Sequence, residues 1–443
     1  TRALVEGELA AASGHADSAS RNTATQPGAD GQAPEAAADQ VARSRPLVSV
    51  FVSSVVSVVP SPAYAVYAAA KAGLDAFVRN LVAEQPRDIV AINVHPGATR
   101  TAMHERAAAD QSYAPQNTSG YADPSDVARR ILKRVGHRHR RGGTLYLKDG
   151  LLRTFARGLP GLVRVLRRDT SALGNVGSAG SAPTRDEPAT SRRRVLITGA
   201  ARGIGAALAL LYLRAGDEVF VLDREIQGLE SIAAQARSGM LRAIACDITE
   251  AGQRTRALEE IVSATSGGAL DVVVHNAGIS VVGSFAAQKP DTQDAVLAVN
   301  AEAPLLLQTH LFLAGLVSGS TRHVFMSSLS SHVGYPGAAV YAATKDLLRA
   351  YGEGLRAASH HPSQVLIVHP GPTRTGHAHR YSPDNSREAA RMSPEELADR
   401  IFKAAERNRQ VLIPSFGLRV FALLGRIAPR ITETMLRKAL LVL

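Results

Sequence analysis

A long internal repeat is the feature that most restricts how this 443-residue chain can fold. The segment that begins at Leu47 recurs 274 residues later without a gap. The alignment pairs Ser54 with Ser328, Tyr67 with Tyr341, Lys71 with Lys345, 94–97 with 368–371 and 99–101 with 373–375. With small gaps, 122–135 also aligns with 392–405. A repeat of this length is too long for a solenoid unit, so the chain contains two copies of one half-domain.

The best-defined part of the repeat runs from Val324 to Lys345 and has the pattern of a buried strand, a turn and the start of a helix. In the helix, Tyr341 and Lys345 are four residues apart and lie on one face. A nearby ammonium group lowers the pKa of a tyrosine from about 10 toward neutrality, as general acid–base catalysis requires. Ser328 ends the strand, where its hydroxyl can bind a substrate oxygen. Taken alone, such a tyrosine–lysine pair is more often part of an exposed helix surface.

A second pattern, at residues 195–214, predicts a dinucleotide site. Val195 to Ile197 form a short apolar strand, and a helix rich in alanine and leucine follows. Between them runs the motif TGxxxGIG, which contains Gly199, Arg202, Gly203, Ile204 and Gly205. Glycines in this position allow a tight turn and let the backbone approach a pyrophosphate at the helix N-terminus.

The choice between NAD and NADP depends on Asp223, which ends the second predicted strand. A carboxylate there hydrogen-bonds the ribose hydroxyls of NAD and repels the extra phosphate of NADP. Arg202 and Arg224 favour the opposite choice, because a guanidinium can bind a 2′-phosphate through two hydrogen bonds. Otherwise both arginines are solvated surface residues. We predict NAD as the cofactor, with NADP as the alternative.

Together these motifs resemble the short-chain dehydrogenase/reductase family, in which Ser-x12-Tyr-x3-Lys follows the glycine motif in this order. The resemblance implies that Tyr341 transfers the substrate proton, that Lys345 lowers the pKa of Tyr341 and binds the nicotinamide ribose, and that Ser328 orients the carbonyl. It also implies that Asn300 holds a water in a proton relay from Lys345; the alternative is a buried asparagine bonded to backbone groups. The other implied cofactor contacts are Asp247, Ile248, Asn276, Ala277, Gly278, Pro370, Gly371 and Thr375.

The resemblance and the alternation of strands with helices predict an α/β fold with a doubly wound, Rossmann-like parallel sheet and a partial α/β copy on its N-terminal side. We expect the complete dinucleotide-binding domain at 192–415 and the partial copy, which lacks the cofactor loop, at 47–170. Low-complexity composition predicts disorder at 1–46 and a linker at 171–191. A basic amphipathic tail occupies 416–443.

The first copy keeps the catalytic residue types but has no glycine turn before them. We therefore predict that Ser54, Tyr67 and Lys71 are not catalytic. The first copy is either a remnant or a partner that packs on the complete domain, in the way that subunits of the family pair through the tyrosine-bearing helix. The expected assembly is a homo-oligomer or an intramolecular pseudo-dimer.

Composition and charge limit the partners and the location. The formal net charge is +12, but the arginines are spread along the chain and HRHRR at 137–141 has no interleaved aromatic residues, so we expect no nucleic-acid partner. The single cysteine, Cys246, excludes an internal disulfide and favours a reducing compartment. We expect a cytoplasmic protein without a membrane span, because neither a secretory pattern at the start nor a long apolar run is evident. The tail predicts peripheral membrane contact, or else a cover over the substrate pocket or a partner subunit.

The predicted function is that of an oxidoreductase that transfers a hydride between NAD(P) and a small alcohol or ketone, with a lid at 376–393. His377 and His379 lack further ligands at metal spacing, so no metal is expected. The alternative is a dinucleotide-binding scaffold or interaction protein in which the half-domain is a built-in partner.

Overall fold

The structure, a computed structural model, describes a little over two thirds of the chain. The described residues are 46–58, 64–86, 89–102, 120–138, 143–146, 192–229, 232, 234–235, 240–359, 364–381, 385–386 and 388–440. The predicted disordered segment (except Pro46) and the predicted linker lie outside these residues.

The larger of two sheets has seven parallel strands and supports the dinucleotide domain. Its strands are β4 (Arg194–Thr198), β5 (Glu218–Asp223), β6 (Leu241–Ala245), β7 (Val272–His275), β8 (Arg322–Met326), β9 (Val365–Val368) and β10 (Val411–Leu412). Their order is β10-β9-β8-β7-β4-β5-β6, so the direction of strand addition reverses between β4 and β7. Helices cover both faces of the sheet, and the predicted doubly wound, Rossmann-like fold is confirmed.

Nine described helices follow β4, and several of them bury apolar residues against the two faces of the sheet. They are α3 (Gly203–Arg214), α4 (Ala251–Thr265), α5 (Pro290–Leu297), α6 (Ala303–Leu313), α7 (Ala339–Ala358), α8 (Gly376–Tyr381), α9 (Pro394–Glu406), α10 (Phe416–Ile427) and α11 (Pro429–Leu440). Leu208 of α3 and Ile401 of α9 lie in one core cluster with Val324 of β8. On the opposite face Phe325, the next residue of β8, packs with Leu348 of α7.

The first copy of the repeat folds like the second. A three-stranded parallel sheet has the order β1 (Leu47–Val52), β2 (Ile89–His95) and β3 (Gly143–Tyr146), with helices α1 (Ala65–Glu84) and α2 (Pro124–Arg138). Val52 pairs with Val94 across β1 and β2, and Met326 pairs with Val368 across β8 and β9. These two pairs are related by the offset of 274, so the repeat preserves the register of its strands.

The two copies pack against each other through the helices that carry Tyr67 and Tyr341. Small residues let the helices α1 and α7 approach closely while they run in opposite directions. A β-carbon on Gly354 would lie 2.7 Å from the Cβ atom of Ala65, and one on Gly73 would lie 3.3 Å from the carbonyl oxygen of Ala343. Ala72 of α1 is buried in the same apolar cluster as Leu348 of α7. The sequence left open whether the first copy is a remnant or packs on the complete domain. In the structure it packs on the complete domain.

One helical run is longer and more apolar than the sequence analysis expected. Helix α5, a π-helical turn at Ala298–Glu302 and α6 form 24 continuous residues, which by length and composition alone would suffice to cross a membrane. Leu307 and Leu311 of this run are fully buried against the sheet. Core packing thus accounts for part of the apolar composition of the run, while Phe312 and Leu313 at its end are exposed.

The basic tail forms the helices α10 and α11, and one side of α10 lies over the complete domain. Leu418 fills the space beside Gly371, where an added β-carbon would be 2.8 Å from its Cδ1 atom. Gly425 is similarly close to Val333. The other side of α10 exposes large apolar residues, beginning with Phe416, which is 80% exposed. The tail therefore both covers the region of Gly371 and presents an apolar surface.

Candidate active site

The glycine motif forms a tight turn from β4 into α3 at the edge where the strand order reverses. Gly199 has φ of +68°, and a β-carbon there would lie 2.7 Å from the Cα atom of Ala277. A β-carbon on Gly205 would lie 2.3 Å from the carbonyl oxygen of Gly199. Asn276 holds the turn from the neighbouring strand, because its Nδ2 atom donates to the carbonyl oxygens of Thr198 (3.0 Å) and Gly199 (2.7 Å). Only glycine fits the two tightest positions.

The residues predicted to read the cofactor ribose lie together beside this turn. One carboxylate oxygen of Asp223 accepts from the amide of Ala201 at 2.8 Å, and the other accepts from the amide of Glu225 at 3.2 Å. Arg202 is exposed and pairs with Glu225 at 3.1 Å. Arg224 pairs with Asp247 at 3.7 Å. Each arginine that the sequence offered as a phosphate ligand therefore has a carboxylate partner.

Asp247 and Ile248 lie two and three residues beyond the end of β6 at Ala245. Burial raises the pKa of Asp247, but hydrogen bonds from the hydroxyl and amide of Thr249, together with the charge of Arg224, bring that pKa below its ordinary value. Ile248 is buried, and Ile204 packs partly buried on the core beneath the turn. The Asp247 carboxylate is thus fixed by its hydrogen bonds and held in its ionised form.

Asn300 lies in the π-helical turn and is fully buried. Its Oδ1 atom accepts from the amide of Ile279 at 2.8 Å, and its Nδ2 atom donates to the carbonyl of Ile279 at 2.8 Å. The side chain therefore has the backbone partners of the structural alternative, and its role in a water relay stays a prediction. A β-carbon on Gly278 would lie 3.1 Å from Nζ of Lys345 and 3.2 Å from Oδ1 of Asn300, so Gly278 separates the two side chains. π-Helical turns occur frequently at functional sites.

Ser328, Tyr341 and Lys345 come together at the carboxyl end of β8. Ser328 caps the short 3-10 helix Leu329–Ser331 and accepts from the amide of Ser330 at 3.2 Å. Nζ of the buried Lys345 donates to the carbonyl of Met326 at 3.0 Å and lies 5.8 Å from the centre of the Tyr341 ring. The three side chains thus converge as the motif predicts.

Burial determines the pKa values of Tyr341 and Lys345 more than the distance between these two side chains does. Burial raises the pKa of Tyr341, and a hydrogen bond with Ser328 acts in the opposite direction. Burial also lowers the pKa of Lys345 to about 8. The sequence predicts that the Lys345 ammonium brings the pKa of Tyr341 toward neutrality. In this structure the pKa of Tyr341 is above its ordinary value, because desolvation of the phenolate outweighs the Ser328 hydrogen bond.

The segment after β9 closes over the glycine turn. Leu329 donates its amide to the carbonyl of Pro370 at 3.0 Å, which ties this segment to the Ser328 turn. The methyl group of Thr375 is 3.4 Å from where a β-carbon on Gly203 would lie. His379 pairs with Glu388 at 2.9 Å, and no group of three metal-ligating side chains was found in the part of the chain that the structure describes. Pro370, Gly371 and Thr375 thus occupy one wall beside the turn.

The first copy repeats the local geometry of its catalytic residue types. Nζ of Lys71 donates to the carbonyl of Val52 at 2.8 Å and lies 5.7 Å from the centre of the Tyr67 ring. Ser54 caps a 3-10 helix, as Ser328 does. The described part of the first copy has no counterpart of the glycine turn. The local geometry of the serine, tyrosine and lysine therefore does not distinguish the two copies. What distinguishes them is the surrounding sheet, which has a glycine turn beside these residues in the second copy.

Sequence reasoning missed two polar side chains of α1 that reach the second copy. Asn80 accepts a hydrogen bond from the amide of Tyr335, and Glu84 accepts from the amides of Phe285 and Gly337. A signal was available in the repeat. The aligned positions of the second copy are Gly354 and Ala358, so two residues without polar side chains there are replaced in the first copy by an amide and a carboxylate.

Comparison with known proteins agrees with this geometry. A family model described as short chain dehydrogenase matches residues 36–112 and 193–386, which together are more than half of the chain. The chain belongs to the short-chain dehydrogenase family. The first matched segment contains Tyr67 and the second contains Tyr341, as expected for a split or duplicated domain.

Relatives of this short-chain dehydrogenase match about half of the chain. Serine 3-dehydrogenase of Rhizobium radiobacter is 30% identical over 182 residues, which are 41% of this chain and 72% of that protein. The SDR family protein 7-like dehydrogenase/reductase of Drosophila melanogaster is 29% identical over 236 residues, 50% of this chain and 72% of that protein. A short-chain dehydrogenase structure from Streptomyces avermitilis has 24% identity and a TM-score of 0.48, and covers 57% of this chain and 98% of its own.

The low pKa of Lys345 predicts a measurable effect of pH on stability. The folded chain releases this proton near pH 8, whereas the ordinary lysine value is 10.5, so between these values the unfolded state binds more protons. The free energy of unfolding then rises with pH in this window, by about 3 kcal/mol from this residue. Chemical denaturation of the Lys345→Met variant across the window should lack this part of the rise. Lys71→Met, which leaves Lys345 in place, should retain it; equal slopes in the wild type and Lys345→Met would contradict the assignment.

Proposed function

We propose that this chain is an NAD(P)-dependent oxidoreductase that interconverts an alcohol and a ketone or aldehyde. The observation that carries the proposal is the convergence of Ser328, Tyr341 and Lys345 beside a glycine turn at the edge where the strand order reverses. In open α/β sheets, ligands bind in the crevice at such a reversal. Membership of the short-chain dehydrogenase family supports the same class of chemistry.

The residues around the glycine turn fit a dinucleotide. At Gly199 and Gly203 no side chain stands between the backbone and a pyrophosphate, and the N-terminus of α3 faces the same side. The partly buried carboxylate of Asp223 ends the neighbouring strand and suits a ribose diol. The segments of Asn276–Gly278 and Pro370–Thr375 form the remaining walls. When bound, the nicotinamide ring accepts or supplies the hydride.

The protein side chains then handle the proton and the orientation of the substrate. The Tyr341 hydroxyl donates a proton to the substrate oxygen or accepts one from it. Ser328 is hydrogen-bonded to Tyr341 and can also bind the substrate oxygen. Because burial keeps Tyr341 protonated, it is suited to donate a proton when a carbonyl is reduced. Lys345 contributes positive charge behind the phenol. Asn300 anchors the loop of Ile279 and, in our proposal, the water relay behind Lys345.

The preferred cofactor in this proposal is NAD. Asp223 occupies the ribose-reading position, and its charge disfavours a 2′-phosphate. Arg202 and Arg224 are each paired with a carboxylate, which reduces their availability for that phosphate. NADP is the alternative because the Arg202–Glu225 pair is exposed at the surface, where such pairs are weak.

The role of Tyr341 is tested by removing one hydroxyl. Tyr341→Phe should lower turnover by about 100-fold or more, the loss typical of a general acid, while the dissociation constant for NADH changes little. The assay is a screen of ketones and alcohols followed at the nicotinamide absorbance. The matched variant Tyr67→Phe, in the copy without a glycine turn, should keep wild-type turnover. A Tyr341→Phe chain that remains fully active would refute the assignment of Tyr341 as the proton donor. Dinucleotide binding by the wild type without turnover of any ketone or alcohol would instead favour the dinucleotide-binding scaffold.

The cofactor preference is tested at Asp223. Asp223→Ser removes the charge that repels a 2′-phosphate, so the ratio of NADP to NAD affinity should rise about tenfold or more. Fluorescence titration with NADH and NADPH measures both affinities. Asp399→Ser removes an exposed carboxylate of α9 that pairs with Lys403, and it serves as the control. An Asp223→Ser variant with the wild-type ratio would place the selectivity elsewhere.

We further propose that the tail contacts an anionic lipid surface. Phe416, Val420, Leu423, Leu424 and Ile427 are exposed on one face of α10 at helical spacing. Residues 416–440 carry five basic side chains and one acidic side chain, so the charge complements anionic headgroups. A location at the surface of a membrane is the corresponding proposal, with the cytoplasm as the compartment.

Vesicle binding tests this surface. The full chain should sediment with phosphatidylcholine vesicles that contain phosphatidylserine, and less with phosphatidylcholine alone or at high salt. The double variant Phe416→Asp/Ile427→Asp should lose this binding. Leu313→Asp changes a residue that is 75% exposed outside the tail, and it should bind like the wild type. Equal sedimentation of the tail variant and the wild type would refute lipid contact through α10.

A further inference from the structure

Glu84, near the C-terminal end of α1, lies between two loops of the complete domain. Its side chain is only 7% exposed. Oε1 accepts from the amide of Phe285 at 2.7 Å, and Oε2 accepts from the amide of Gly337 at 3.3 Å. A buried carboxylate is costly unless it is hydrogen-bonded, and a buried amide without a partner is costly as well. Glu84 and these two amides therefore satisfy one another across the boundary between the copies.

The two loops are the ones that lead to the catalytic groups. Phe285 follows the Asn276–Gly278 segment, and Gly337 lies between Ser328 and Tyr341. The loops also contact each other, because the amide of Gly283 donates to the carbonyl of Gly337 at 2.9 Å. One carboxylate from the first copy therefore holds both loops at their junction.

The same helix makes further contacts along the Ser328–Tyr341 turn. Asn80 accepts from the amide of Tyr335, and Arg79 donates to the carbonyl of Ser331 at 3.2 Å. Arg79 also pairs with Asp346 of α7 at 3.6 Å. Arg79, Asn80 and Glu84 thus connect α1 to the backbone between the predicted carbonyl-orienting serine and the predicted proton donor.

An apolar contact extends this connection to Tyr341 itself. The ring of Phe77 in α1 lies edge-on to the ring of Phe285, with 5.4 Å between their centres. Phe77, Phe285 and Tyr341 pack around one buried cluster that contains Val340. The first copy therefore contributes both polar and apolar groups to the region beside the phenol.

These contacts are specific to the first copy. In the second copy the positions of Asn80 and Glu84 are occupied by Gly354 and Ala358, which have no polar side chain. Gly354 instead lets the backbones of α1 and α7 approach. The polar side chains therefore belong to the first copy, and the backbone groups that they bind belong to the second. In this arrangement the first copy supports the site of the second.

We propose that the first copy serves as a built-in partner that shapes the substrate side of the site, with Glu84 and Asn80 as positioning residues. The proposal rests on the proposed oxidoreductase function, because the two loops can affect turnover only if they form walls of that active site. Its structural content, that Glu84 orders both loops, is independent of turnover. Neither residue touches the proposed cofactor site, so dinucleotide affinity should not depend on them.

Hydrogen–deuterium exchange of the full chain tests the role of Glu84. In Glu84→Ala, the amides of Phe285 and Gly337 lose their acceptor, and exchange in the peptides that contain them should be about tenfold faster. Glu84→Gln, which keeps one acceptor oxygen, should restore part of the protection. The matched control is Asp75→Asn, which changes a buried carboxylate of the same helix that bonds Ser57 and Asn93 within the first copy.

The pattern of exchange decides the proposal. Faster exchange confined to the two loops in Glu84→Ala, and absent there in Asp75→Asn, supports it. Unchanged exchange in Glu84→Ala, or equal loss of protection in both variants, overturns it. For the ketone that the wild type reduces fastest, kcat/KM should fall about tenfold in Glu84→Ala with unchanged NADH affinity. Because exchange needs no substrate, it tests the positioning role even if the screen of ketones and alcohols were to find no oxidoreductase activity.

Discussion

The close packing of α1 on α7 is the contact on which the rest of the arrangement depends. Helix α7 carries Tyr341 and Lys345 and is buried both against its own sheet and against the first copy. A helix held on two sides has little freedom to rotate, so its reactive face keeps one direction. The small residues at the crossing, Gly73 and Gly354, make this approach sterically feasible. Without it, one long face of the catalytic helix would be exposed to water.

The features that the sequence predicted well are those set by local spacing. The glycine turn, the Tyr341–Lys345 pair and the strand register of both copies follow from short-range patterns and from the repeat offset. The pKa values of the site did not follow, because they depend on burial that only the folded chain creates. The contacts of Glu84 did not follow either, since its partner at Gly337 is 253 positions away. Periodicity indicates which residues face inward but not which distant amide a carboxylate will meet.

The two copies share the contacts that join strand, turn and helix, but they differ at the helix surface that faces the other copy. The first copy keeps the lysine-to-carbonyl hydrogen bond of Lys71 and the capping role of Ser54, which are also required to join strand, turn and helix. At the helix surface, by contrast, it carries Asn80 and Glu84 where the second copy has Gly354 and Ala358. These two local contacts are thus retained, while the two residues that face the other copy differ. This distribution is expected when one copy supports and the other reacts.

Joining both copies in one polypeptide changes how their contact responds to dilution. Two separate subunits dissociate as their concentration falls, and any loop that one orders for the other is lost with them. Segments of one chain meet at an effective concentration that is about millimolar for flexible connections and does not depend on how much protein is present. The junction at Glu84 would therefore persist in a single molecule, so that one polypeptide behaves kinetically as an assembled pair at any expression level.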